Sequence, residues 1–106
     1  MYFIAVKFAV KPESAEQWPE IIREYTESTR AEAGNIFFEW SRSLENENEY
    51  VLVEAFTDDG AAPHVNSEHF KTGLDAMRPH LTSTPKIISR QVDGNGWEPM
   101  GELKID

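Results

Sequence analysis

Over Tyr2–Val10 the chain alternates with a period of two. Tyr2, Ile4, Val6, Phe8 and Val10 fall on one face, and Phe3, Ala5, Lys7 and Ala9 on the other. Such alternation in strand-forming residues predicts a first β-strand, and its small, mostly apolar second face predicts that something covers that side too. Lys11 and Pro12 end it, and the period lengthens. Ala15, Trp18, Ile22, Tyr25 and Thr29 recur every three or four residues, with Ile21 on the flank and Glu16, Glu20, Glu24 and Glu27 mostly outside the stripe. This predicts one amphipathic helix over roughly 14–31. Ser14 and Gln17 have capping-box spacing, Arg30 near the end suits the helix dipole, and Gly34 is the expected stop.

Alternation returns in IFFEWSR (36–42), where Ile36, Phe38 and Trp40 oppose Phe37, Glu39 and Ser41. It returns again in YVLVEAFT (50–57). The polar SLENENE between them predicts an antiparallel hairpin. Asp58, Asp59 and Gly60 break the second strand and lead into a short turn through AAPHV. Ser67 is the expected N-cap of a second helix, in which Phe70, Leu74, Met77 and Leu81 form the stripe, joined on the same side by Val65. Pro79 ends that helix near 78–80. TPKIISRQV (84–92) reads as a last, edge strand, and DGNG (93–96) as a turn.

The order is βαββαβ. That is an α+β, ferredoxin-like antiparallel sheet with both helices on one face, spanning residues 1–92. Residues 93–106 form a C-terminal extension whose Trp97, Met100, Leu103 and Ile105 pack on the domain, as a short strand, or on a partner subunit. Both faces of the strands carry large apolar groups, and the helices cover only one. A homodimer through the sheet face, forming a dimeric α+β barrel, is the expected remedy.

The 106 residues carry a net charge of −9 and no cysteine. The charge opposes nucleic-acid binding. The missing thiols exclude disulfides and thiolate metal sites and are compatible with a cytoplasmic location. No apolar run is long enough to cross a membrane, and MYFIAVKF does not resemble a secretion signal.

Three histidines, His64, His69 and His80, are the groups that titrate near neutrality. His64 and His69 stand five apart in HVNSEH, a poor fit to a helical zinc motif, and a metal triad would need a distant carboxylate, so no metal is expected. His69, beside Phe70 and one turn before Gly73, is the leading candidate for chemistry in a cleft between its helix and the sheet. His64 is the second. Asn66 and Ser67 are candidate donors to a ligand oxygen. Glu39 and Glu54 are carboxylates within apolar strands that could approach each other or pair with Arg42 or Arg90. Trp18, Tyr25, Trp40, Phe38, Phe56 and Phe70 are candidate walls for a flat ligand, with Phe38, Trp40, Phe56 and Phe70 the ones assigned to the site. Each of these groups also has a purely structural use as a cap, ion pair or core ring.

The leading strand with KPE, the R-x-E-x-G-N turn in RAEAGNIFFEW, and the H-x-x-S-x-H-F end of VLVEAFTDDGAAPHVNSEHF resemble the antibiotic biosynthesis monooxygenase family over residues 2–92. The resemblance implies dimeric α+β barrels that oxidise quinols or polyketide-like phenols with molecular oxygen and no cofactor. It places His64, Ser67, His69 and Phe70 beside the pocket. Ala33 stands where the family often has proline, and Phe56 where it often has tryptophan. MYFIAVKFAV lacks the asparagine of the haem degraders, so haem is not expected. The leading expectation is a cofactor-independent monooxygenase acting on a small aromatic molecule. The alternatives are a cofactor-free isomerase of a small hydroxyketone, with Glu39 as a second acid/base, and a non-enzymatic dimeric ligand-binding protein.

Overall fold

The computed structural model describes residues 1–106. Its strands are β1 (Tyr2–Ala9), β2 (Asn35–Arg42), β3 (Glu49–Phe56) and β4 (Lys86–Gln91). Its helices are α1 (Trp18–Ile21), α2 (Arg23–Arg30), α3 (Ala61–Val65) and α4 (Glu68–Met77), with 3-10 turns at Pro12–Gln17, Arg78–His80 and Gly101–Leu103. One sheet, in the order β2-β3-β1-β4, pairs every neighbour antiparallel, which is the expected α+β arrangement.

The register explains which residues are buried. Val6 lies opposite Leu52, Phe8 opposite Tyr50, and Trp40 opposite Leu52 from the other side. These side chains share the face on which Trp18, Ile22, Tyr25 and Met77 of the helices close the core. The opposite face gathers Phe3, Ala5, Phe37, Val51, Val53, Ala55 and Ile88. Little of this chain lies on that face. Trp97 packs its ring 5.1 Å from that of Phe37, while Met100, Leu103 and Ile105 stay exposed and no strand forms in the extension.

The helix expected over 14–31 is broken in two places. Pro19 supplies no N–H to bond back into the preceding turn, so Pro12–Gln17 coils as a 3-10 turn and α1 begins with the proline in its first turn. Ile22 then separates α1 from α2. The apolar stripe survives, because both segments keep one face on the sheet: Ala15, Trp18, Ile22, Tyr25 and Thr29 are all buried. Ser14 makes no capping box, and its hydroxyl lies 2.8 Å from His80 Nδ1.

Gly34 does not end the helix by adopting a left-handed conformation; positive φ occurs only at Gly94 and Gly96. It is needed for a close approach. A Cβ on Gly34 would lie 2.5 Å from the Gly60 Cα, and one on Gly60 would lie 2.7 Å from the Gly34 Cα. The chain thus clasps the start of β2 to the start of α3, reinforced by Thr57 N–H donating to Gly34 O at 2.8 Å. Ile36 is taken up by an irregularity in the β2–β3 register, between the pairs Asn35–Phe56 and Phe37–Ala55. Ser67 caps α4 as expected, accepting from Phe70 N–H at 3.1 Å. Val65 is 53% exposed, off the stripe that Phe70, Leu74, Met77 and Leu81 present to the core.

Candidate functional site

Three elements bring a cluster of titratable groups together at the end of the core. The segment after α2 contributes Glu32, α3 contributes His64, and the first turn of α4 contributes His69. Glu32 Oε2 receives both imidazoles, with His64 Nδ1 at 2.7 Å and His69 Nε2 at 2.5 Å. A carboxylate accepts from both, so each of these nitrogens carries its proton. That leaves His64 Nε2 to accept from the Tyr25 hydroxyl at 3.2 Å. Tyr25 keeps its proton and so can donate it: burial first, then the charges of Glu54 and Glu32, pushes its phenol far above the usual range. Glu54 Oε1 stands 3.8 Å from His64 Nε2 on the same side. Its carboxyl is pushed up to about 7, by burial first and by the charge of Glu32 second.

His64 is 2% exposed, and aromatic rings enclose it. Phe56 stacks on it at 4.5 Å, Phe70 meets it edge-on at 5.1 Å, and Phe38 lies 6.5 Å away. Ser67 fixes its backbone by donating its hydroxyl to His64 O at 2.6 Å. His69 is different. Its side chain is 27% exposed and lines two clefts, and its hydrogen bond runs through Nε2 alone, which leaves Nδ1 as the nitrogen with a lone pair. One cleft, of about 380 Å³, lies between the α1–α2 segment and α4, with Glu24, Tyr25, Ser28, Glu68 and Thr72 in its walls. The other, of about 510 Å³, is walled by Glu32, Gly34, Thr57, Asp59 and Gly60.

These clefts correct the expected geometry. Neither lies between α4 and the sheet, because Tyr25, Phe38, Phe56 and Phe70 fill the space around His64. Gly73 provides packing room instead of open space: a Cβ there would sit 2.6 Å from the Tyr25 ring. A helix-to-sheet groove does exist beside Phe8, Leu74 and Met77, but it does not include His69.

The candidate residues divide accordingly. His64, His69, Ser67, Phe56, Phe70 and Phe38 come together. Trp40 lies beyond Phe38, packing on Phe8 and donating to Thr26 Oγ1 at 2.9 Å. Asn66 is exposed at the end of α3, and its side chain joins none of the cluster's hydrogen bonds. Glu39 points to the open sheet face, where Trp97 Nε1–H donates to it at 3.3 Å. It cannot approach Glu54, because the register sets Glu39 against Val53 and Glu54 against Phe38, on opposite faces. Arg42 pairs with Glu16 and Arg90 is exposed, so neither reaches the cluster. Glu32 has no place among the residues singled out above for chemistry, and Tyr25 appears there only as a wall, with no role for its hydroxyl. Glu32 is the acid of the RAEAGN turn, but its partners lie 32 and 37 residues away, a distance that only the fold closes.

The fold and this cluster define a small ferredoxin-like protein with an imidazole–carboxylate site at one end of its core. A model of the family described as "Antibiotic biosynthesis monooxygenase" matches residues 1–76, and the chain belongs to that family. It is 29% identical over 91 residues to the Bacillus subtilis protein named "Putative monooxygenase YcnE", covering 85% of this chain and 95% of that one. Among solved structures, a protein of Nitrosomonas europaea described as "Putative antibiotic biosynthesis monooxygenase" superimposes with a TM-score of 0.78 at 28% identity, covering 87% of this chain and 98% of that chain. A conserved protein of Methanosarcina mazei Go1 shares the fold, with a TM-score of 0.80 at 22% identity, covering 87% of this chain and 92% of that one. No helix is long and apolar enough to cross a membrane.

Proposed function

We propose that this chain is a monooxygenase that oxidises an uncharged quinol or phenol with molecular oxygen, with His69 as the base. The observation that carries this reading is the His69 ring, open to two clefts on one side and held by Glu32 on the other. Nδ1 takes the hydroxyl proton of the substrate, and Glu32 stabilises the imidazolium that forms. The phenolate gives one electron to oxygen, and the radical and superoxide join in a C–O bond. The His69 proton goes to the peroxide. Loss of the ring C–H proton and cleavage of the O–O bond then release water and leave the quinone carbonyl. The substrate supplies both electrons that reduce the second oxygen atom, so the reaction balances without a further reductant.

The charges around His69 favour this reading over isomerisation of a phosphorylated hydroxyketone. Glu24, Glu68, Glu32 and Asp59 line the two clefts, and no lysine or arginine does. A phosphate would have no counter-charge there. The open sheet face supports a homodimer as the working assembly, with the extension that begins at Trp97 reaching the partner.

The test is oxygen uptake by the purified protein with a panel of neutral quinols, in buffer containing a chelator, together with labelled-oxygen incorporation into the product. Turnover should require oxygen and fall roughly 10²–10⁴-fold in His69→Ala. Absence of uptake across the panel, or a His69→Ala variant as active as the native chain, would sink the assignment.

A further inference from the structure

The three side chains that share protons also have the composition of a metal site. Glu32 Oε2, His64 Nδ1 and His69 Nε2 lie within 4.8 Å of one another. We propose that Glu32, His64 and His69 bind a single divalent cation of the Zn²⁺, Co²⁺ and Ni²⁺ group, which enters as the ring protons now facing Glu32 move to the opposite nitrogens of the two imidazoles. Two imidazoles and one carboxylate suit this borderline class and not Mg²⁺ or Ca²⁺, which take oxygen ligands.

Four observations support the site. First, the adjustment is small. The carboxylate oxygen sits 2.7 and 2.5 Å from the two nitrogens. Ligand atoms around a tetrahedral cation with bonds of about 2.0–2.1 Å stand roughly 3.3 Å apart. The two nitrogens, which lie within 4.8 Å of each other, must reach the same spacing, so side-chain shifts of about 1 Å make the site, and His69, being partly exposed, is free to move. Second, Glu32 Oε1 is buried with no hydrogen-bond donor. Such a bare acceptor is costly in a protein interior, and a cation held by both carboxylate oxygens would satisfy it. Third, Glu54 stands behind His64 on its other nitrogen. With Nδ1 on the cation, His64 Nε2–H donates to the Tyr25 hydroxyl oxygen at 3.2 Å, and Glu54, 3.8 Å from the same nitrogen, adds negative charge on that side, as outer groups do for metal-bound histidines. Fourth, Glu32 and Glu54 are both largely buried, and their ion-pair partners are imidazoles alone, with no lysine or arginine. Two acids in a poorly hydrated space call for positive charge, and a divalent cation supplies it. The cleft that Glu32 and His69 line gives water access to a fourth coordination position.

Metal and base are mutually exclusive here. With its Nε2 on a cation, His69 carries its proton on Nδ1 and cannot accept one from a phenol. The loaded protein is the inactive form in the proposed oxidation.

The test uses the untagged, chelator-treated full chain. Calorimetric titration with Zn²⁺ should show one ion bound per chain. Co²⁺ should bring up the visible ligand-field bands of a low-symmetry, nitrogen-bound ion. His69→Ala and Glu32→Gln should each abolish both signals, and Glu54→Gln should weaken binding by about 10–100-fold. His80→Ala, remote from the cluster, should leave them unchanged. If Glu32→Gln fails to fold, as judged by circular dichroism, the part-exposed His69→Ala decides. Absence of stoichiometric binding, or binding that survives His69→Ala, overturns the site. Neither measurement involves a substrate or oxygen, so failure here and failure of the proposed oxidation are separate results.

Discussion

Replacing Glu54 with glutamine tests the electrostatics of the cluster through stability alone. Glu54 is 5% exposed, and its carboxyl is raised from 4.5 to about 7. At pH values below about 4.5 the group is neutral in both the folded and the unfolded chain, and its contribution to stability is intact. Between about 4.5 and 7 the unfolded chain ionises while the folded one does not, so stability falls as pH rises. Above about 7 the loss is complete. At about 1.4 kcal/mol per pH unit, the gap amounts to ~3 kcal/mol. Glutamine keeps the shape and cannot ionise. Urea denaturation of both chains from pH 4.5 to 8, at fixed ionic strength with chelator, measures the difference and cancels titrations common to both. With an m-value of roughly 1–3 kcal/mol per molar urea, the variant's midpoint should gain about 1–3 M on the native midpoint across that range. Parallel profiles, or a native chain that gains on the variant as pH rises, would refute the account of Glu54 as a buried acid that resists ionisation.

Gly73→Ala forces a methyl group to within 2.6 Å of the Tyr25 ring and should destabilise the chain by about 1–3 kcal/mol, read as a lower Tm in calorimetry. Ser67→Ala removes the α4 cap and the bond to His64 O, and should cost about 1 kcal/mol in urea denaturation. Phe3→Glu places a charge on the open sheet face. In sedimentation velocity it should shift the chain from dimer to monomer while circular dichroism stays native, and a native chain that sediments as a monomer would contradict the assembly.

The strands were legible because alternation with period two leaves a plain record in the chain. Helix α4 was legible through Ser67 and the Phe70–Leu74–Met77 stripe. The first helix shows where periodicity alone falls short. The stripe from Ala15 to Thr29 describes which side faces the sheet, but backbone continuity depends on Pro19, whose missing N–H does not alter the stripe. The site was half legible. His64, His69 and Ser67 lie within six consecutive residues, close enough to be read together. Glu32 and Tyr25 come from the other half of the fold, and contact at such separation has no local mark. Glu39 and Glu54 look alike in sequence, each an acid in an apolar strand. Only the pairing register tells that one meets solvent and Trp97 while the other faces His64.

The clasp between Gly34 and Gly60 carries a consequence for how the site can be damaged. Glu32 lies two residues before one glycine and His64 four residues after the other, so the gap between acid and imidazole is set by two backbones touching where neither has a side chain. A methyl group at either position would wedge the two segments apart and deliver the shift along two short, stiff pieces of chain. Every titratable group would still be present, and the sheet would still pair. The alignment that lets three side chains act as one unit would be gone. The most fragile part of this chemistry is thus a joint made from residues that can take no part in it.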